Sequence, residues 1–204
     1  MNFTGESKFF IGIIVATLVL VIGGVAFLSR PETTIPRAEL VKGTNVKGAT
    51  DSKVYLVEFS DFQCPACKAA KPFVDEVLKK YGDKIVFVYR HFPLDQHPFG
   101  QKAAETAEIA ASQGKFWEMY DLLFANQERF SDEVFVELAN KVGIPGETFK
   151  KDLENHTYTK KVNEDQAAGT RFGVNSTPTF FLNGKKLVLT SLTDLQTEVE
   201  KALR

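Results

Sequence analysis

The side chains best suited to chemistry in this sequence are its two cysteines, Cys64 and Cys67. They stand three apart where an apolar run gives way to helical periodicity, so both sulfurs fall on one face of a first helical turn. A disulfide between them is geometrically possible. Helix-terminal amides and the macrodipole stabilise a thiolate in that position, and cysteines of such motifs titrate at roughly 3.5–7.5 in place of about 8.5. Cys64, at the cap position, is therefore expected to be nucleophilic at neutral pH. A pair so close in sequence cannot staple distant parts of a fold, which excludes a disulfide-framework protein. Zinc is an alternative reading, but it needs two more ligands from His91, His97, His156 or carboxylates, none at the spacing of a zinc module. An incidental buried pair is a third, set against the activating character of a helix start.

The elements that must hold the cysteines follow from the flanking pattern. Lys53-VYLVEFS-Asp61 is a nearly continuous apolar run, the pattern of a strand buried on both faces, interrupted only by Glu58. Cys64-Pro65 opens a helix through about Tyr81: Pro65 suits the first helical position, Gly82 suits the stop, and Phe73, Val74, Val77 and Leu78 form the apolar stripe. Pro72 is expected to kink it. Ile85-VFVYRHF reads as a second buried strand, parallel to the first because the crossover is long. Residues from about 98 to 171 show helical periodicity and predict four or five helices, with Asp132 as a cap of one. The segment Gly173 to Pro178 ends that pattern. Thr179-FFL follows as a strand, the Asn183-Gly184 turn joins it to a strand at Lys186-LVLT, and Leu192 to Leu203 closes as an amphipathic helix. The order is βαβ, a helical insertion, then ββα, an α/β fold.

Composition sets the frame. The chain has 204 residues, 44% hydrophobic and 25% charged, enough for a sizeable core and incompatible with disorder. A net charge of −1 gives no electrostatic reason to expect nucleic acid. From Phe9 to Leu28 the chain carries twenty residues without a charge, which as a helix would rise roughly 30 Å and match a bilayer core. Residues 1–30 therefore read as a membrane anchor, since the run exceeds the h-region of a cleaved signal peptide. Residues 31–44 read as a tether with a short edge strand near Ala38 to Val41, and 45–204 as the folded domain. Lys8 precedes the span while Arg30, Arg37 and Lys42 follow it. That bias alone would leave the domain cytoplasmic, but it weakens when a long domain follows the helix.

Four segments in order, FSDFQCPAC ending at Cys67, RHFPL at Arg90–Leu94, GKFWEMYDLLF at Gly114–Phe124 and VNSTPTFFLNG at Val174–Gly184, resemble the DsbA-like thioredoxin family, in particular its membrane-anchored members. The resemblance covers roughly residues 45–204. It implies a thioredoxin-like fold and an extracytoplasmic thiol:disulfide oxidoreductase that introduces, and in some members reduces or shuffles, disulfides in exported proteins. By that likeness the protein sits in a bacterial cytoplasmic membrane by one span, with the catalytic domain outside. It acts on reduced exported polypeptides, is reoxidised by a quinone-linked membrane oxidase, and needs no bound cofactor and no metal.

Carried over by the same resemblance, Cys64 is the nucleophile and Cys67 the buried resolving partner. Glu58 matches a buried acid that relays a proton to or from Cys67, directly or through water; an ion pair with Lys84 or Arg90 is the structural alternative. Thr177-Pro178 matches a loop with a cis bond beside the disulfide, whose backbone pairs with an extended substrate. The dipeptide Pro65-Ala66 departs from the proline-histidine pair of strongly oxidising relatives and implies a milder oxidant. His91 reads as a structural residue, and Phe116, Trp117 and Tyr120 as helix core. A reductase or isomerase is the rival within the class; a metal-handling or chaperone module without turnover is the rival outside it.

Overall fold

The computed structural model describes residues 13–23, 34–43 and 45–204, and the chain divides into two compact units, Met1–Thr33 and Thr34–Arg204. In the first unit, residues 13–23 form a helix, α1, with exposed side chains. The rest of the expected span from Phe9 to Leu28 lies outside the described residues. Among the described residues no helix is long and apolar enough to cross a membrane.

The second unit opens with a helical turn, α2 (Arg37–Leu40), where an edge strand is expected from the sequence. Leu40 is wholly buried there, so the turn packs as a plug. The edge strand comes later as β1 (Val46–Gly48). β2 (Tyr55–Ser60), α3 (Pro65–Tyr81) and β3 (Val86–His91) follow as the expected βαβ unit. α3 runs continuously through Pro72 and stops at Gly82. The insertion comprises α4 (Gly100–Ser112), α5 (Phe116–Ala125), a 3-10 turn at Gln127–Arg129, α6 (Asp132–Lys141), α7 (Gly146–Glu154) and α8 (Thr159–Arg171). The cap of α6 is Ser131, whose hydroxyl accepts from the Val134 amide; Asp132, the expected cap, is the first helical residue.

After the insertion come β4 (Thr179–Leu182), β5 (Lys185–Lys186) and α9 (Asp194–Ala202). Asn183 and Gly184 both take positive φ, 49° and 89°, as a tight two-residue hairpin turn requires. β5 stops after two residues, so the expected strand over Lys186-LVLT is not formed, although the Leu187 amide still donates to the Phe180 carbonyl.

The five strands lie in the order β1-β3-β2-β4-β5, with β2 and β3 parallel and the other pairs antiparallel. Alternation along β2 divides the core. Tyr55, Val57 and Phe59 join Val86, Val88, Phe92, Val174 and Phe181 on one face. Leu56 joins Phe87, Tyr89, Phe180, α3, α9 and the insertion helices on the other. Helix α8 meets the first face through Gly169, where an added Cβ would come within 2.7 Å of the Phe92 ring and 3.0 Å of Phe59. Phe92 is buried and stands edge-on to Phe59, so it has little room to yield.

Gly169→Ala therefore sets a gain in helix propensity of about 1 kcal/mol against overpacking of about 1–3 kcal/mol. Net destabilisation is expected in chemical unfolding, and an unchanged or raised midpoint would show that the rings move aside.

Candidate active site

β2 is central in the sheet, and the chain leaving its carboxyl end turns directly into α3. Cys64 is the residue before Pro65, the first helical position, and its backbone is extended at φ −76° and ψ 122°. Its amide donates to the Asp61 carbonyl at 3.0 Å and its carbonyl accepts from the Lys68 amide at 3.1 Å. Pro65 fits because the first helical N–H has no partner in any case. Pro65 and Ala66 are both exposed. Cys67, a turn inside, is wholly buried, while Cys64 retains 6% exposure. Both are free thiols.

Their surroundings separate the two sulfurs electrostatically. The Cys67 thiol donates to Cys64 and, against the effect of burial, pulls it well below the ordinary thiol range, helped by the amides of Cys67 and Ala66. Burial pushes Cys67 far up, and the bond to Cys64 and the Glu58 carboxylate add to that. The arrangement favours a Cys64 thiolate beside a protonated Cys67. Such a pair is chemically equipped for exchange by thiolate attack, with unequal attacking and leaving groups.

Thr177 and Pro178 approach from the loop before β4. Their peptide bond is cis, and Cys64 Sγ lies 3.5 Å from the Thr177 carbonyl oxygen. The Thr177 hydroxyl is buried without a hydrogen-bond partner among the described residues. The sequence-derived set Cys64, Cys67, Thr177 and Pro178 is thus brought together at one point, from segments more than a hundred residues apart.

Glu58 faces the same side of the sheet as Leu56 and Ser60, with Tyr89 and Phe180 as its register partners on the flanking strands. It is 1% exposed, and its Oε2 has no hydrogen-bond partner among the described residues. Burial raises its carboxyl to about 7, opposed by the Ser60 hydroxyl and reinforced by Asp75 and the Cys64 sulfur. The ion-pair alternative is not realised with Arg90, which is committed to Asp165 at 2.6 Å and to the carbonyls of Glu39 and Leu40.

His91 is buried and structural in its contacts. Its Nε2 meets Glu108 Oε1 at 2.7 Å, and Asn45 donates to the same oxygen. Although burial opposes it, the His91 ring holds Glu108 down to about 2. Phe116 and Tyr120 are buried as core residues, and Trp117 is partly buried with its Nε1 donating to the Val46 carbonyl. No group of three or more His, Cys, Asp or Glu side chains among the described residues is placed to hold a metal.

Sequence reasoning missed Asp61 and took no role from His97. The Asp61 amide is directed at Cys67 Sγ at 3.5 Å and its carbonyl holds the Cys64 amide, so its main chain touches both cysteines. Its carboxylate, wholly buried, accepts from the amides of Gln63 and Leu94 and from His97 Nδ1 at 2.6 Å. The signal that could have found them is an acid three residues before the motif with a histidine in the next polar loop, a pairing visible only once the loops meet.

The sequence profile of the thioredoxin family matches residues 41–201. The chain belongs to the thioredoxin family. Its βαβ and ββα halves around a helical insertion give this thioredoxin-family protein a DsbA-like fold. Oxidised BdbD from Bacillus subtilis superposes with a TM-score of 0.73 at 24% identity, over 84% of this chain and 97% of that one. A thioredoxin-like oxidoreductase from Silicibacter pomeroyi gives 0.69 at 26% identity, over 82% and 97%. The Na(+)/H(+) antiporter NhaA 3 of Salinispora tropica is 39% identical over 143 residues, 70% of this chain and 22% of that protein. The chain thus spans about a quarter of the length of the curated relatives it matches.

Two outcomes follow for this site. Because Glu58 keeps its proton to about 7 when folded and sheds it near 4.5 when unfolded, wild-type stability falls as pH rises between those values and is level above them. Glu58→Gln removes that loss, so its stability relative to wild type should climb through the same window, by on the order of 3 kcal/mol at most; parallel stability curves would contradict the burial argument. His97→Phe withdraws one of three donors from a buried carboxylate and should cost about 1–3 kcal/mol in denaturant unfolding, with His97→Gln recovering part of it.

Proposed function

We propose that this thioredoxin-family protein is an extracytoplasmic thiol:disulfide oxidoreductase that works as an oxidase, donating a Cys64-Cys67 disulfide to reduced exported polypeptides. The observation that carries the reading is the unequal solvation of two sulfurs on one helical turn, Cys64 at the rim and Cys67 sealed beneath it. In the forward reaction a substrate thiolate attacks Cys64 Sγ, the sulfur–sulfur bond breaks, and its electron pair leaves on Cys67, which takes a proton by way of Glu58. A second substrate thiolate then attacks the substrate sulfur of the mixed disulfide and expels Cys64 as thiolate. Two electrons pass from substrate to protein; of the two substrate thiol protons one ends on Cys67 and the other goes to solvent, since Cys64 leaves as a thiolate. The depressed pKa of Cys64 makes it a good leaving group and stabilises the reduced form, which favours oxidation of the substrate.

The loop at Thr177-Pro178 is assigned to the substrate: next to Cys64, its backbone is positioned to pair with an extended polypeptide. A quinone-linked membrane oxidase would restore the disulfide, and the charge-free run from Phe9 to Leu28 would hold the protein at the cytoplasmic membrane by a single span. The exposed Ala66 side chain offers neither charge nor hydrogen bond to the thiolate, which favours a mild potential and keeps a reductase or isomerase as the second reading.

A Cys67→Ser variant should accumulate mixed disulfides with exported proteins through Cys64, whereas Cys64→Ser should trap none. In cells the wild-type pair should rest mainly as the disulfide. A resting dithiol would assign the reductase or isomerase direction, and trapping through Cys67 alone would reverse the roles of the two sulfurs.

A further inference from the structure

We propose that Gln127, a residue of the helical insertion, is a positioning residue for Cys64, so that the insertion helps set the thiolate on which exchange depends. The inference rests on the reading of Cys64 as the attacking thiol. Gln127 begins the 3-10 turn between α5 and α6 and is 8% exposed. Its side-chain nitrogen donates to the Phe62 carbonyl at 2.7 Å and to the Cys64 carbonyl at 3.0 Å. An amide NH2 has two hydrogens, and both are directed at the main chain of the segment that carries the nucleophile.

The position of Cys64 needs such support. Cys64 is the cap of α3, yet no side chain caps this helix, and its extended backbone is the hinge between the loop and the first turn. Its carbonyl takes one bond from its own helix, the Lys68 amide, and a second from Gln127. Beneath the loop, the Phe62 ring stacks on Tyr89 at 4.9 Å between centroids. On one flank the Asp61 carboxylate binds the His97 ring and the Leu94 amide, and Gln63 Oε1 accepts from the Phe99 amide. Gln127 adds a further hold on the same loop, through the Phe62 and Cys64 carbonyls. The next residue, Glu128, pairs with Lys68 on α3 at 2.5 Å, so two consecutive insertion residues bridge to the same helical start.

The chemical consequence concerns where the amides aim. The Cys64 thiolate is stabilised by the Cys67 thiol and by the main-chain amides of Cys67 and Ala66, and these point at Sγ only while the cap keeps its backbone angles. Without the two bonds from Gln127, the cap carbonyl keeps only its helical partner and the loop can pivot. Cys67 on α3 and Glu58 on β2 are ionisable groups coupled to Cys64, and Gln127 hydrogen-bonds to main-chain carbonyls and to neither of them.

The test uses the full chain with Gln127→Leu, which keeps bulk without a donor, and Gln127→Asn, which keeps the amide one methylene short of both carbonyls. Arg129→Ala on the same turn is the comparison, since Arg129 contacts Asn126 and Glu137 and not the loop. Thiolate absorbance against pH and the equilibrium with glutathione are measured after thermal melts establish folding. Both Gln127 variants should titrate at higher pH, with about five- to tenfold slower alkylation of Cys64 below neutrality and an equilibrium moved toward the disulfide by a similar factor. Arg129→Ala should match wild type. A folded Gln127→Leu or Gln127→Asn protein that superimposes on wild type in both measurements overturns the proposal, the Asn variant deciding alone if the Leu variant does not fold. A wild-type protein whose Cys64 titrates as an ordinary thiol would instead overturn the reading of Cys64, and this inference with it.

Discussion

Two sulfurs within one helical turn must have different surroundings if one is to attack and the other to leave, and the rest of the site depends on that inequality. Equal solvation would give neither sulfur a preferred role. The inequality is produced by where α3 begins: at the carboxyl end of a central strand, with the cap at the surface and the first turn descending into the core. Cys64 thereby keeps a sliver of exposure and the helix-terminal amides, while Cys67 loses solvent altogether. The mouth of an open α/β sheet is the place where backbone amides converge and side chains remain reachable.

The buried charges of the domain sharpen the case for Glu58. Arg90 and Asp165 form a hydrogen-bonded ion pair, His91 and Asn45 both hydrogen-bond Glu108, and the Asp61 carboxylate has three donors. Each of these three carboxylates is hydrogen-bonded, and removing its partner would leave it stranded in the core. Glu58 differs, because one oxygen has no partner and its carboxyl is pushed up by desolvation to about 7. A carboxyl held near neutrality and electrostatically coupled to both cysteines is suited to moving protons.

Much of this was legible in the chain. The C-x-x-C pair after an apolar run, the proline and glycine that bracket α3, the Asn-Gly turn and the long helical stretch are local signals, decided by backbone preference and periodicity within a few residues. They were enough for the βαβ, insertion, ββα order and for the two cysteines. The glutamate in an apolar strand was equally visible, since a charge there breaks the pattern. Signals weakened where local preference and packing disagree: Ala38 to Val41 reads as an edge strand but coils into α2 to bury Leu40, and Lys186-LVLT leaves the sheet after two residues.

What only the tertiary structure decided are the contacts between segments far apart in sequence. No spacing rule announces that His97 would lock Asp61, that Gln127 would reach the Cys64 carbonyl, or that the Thr177 carbonyl would lie 3.5 Å from Cys64 Sγ. Nor does sequence show that Arg90 would pair with Asp165 and not with Glu58. Local order is written in the pattern of neighbouring residues because the chain's own geometry enforces it. The pairing of buried polar groups is settled only when the core closes, because each such group then takes whatever donor the packed elements bring within reach.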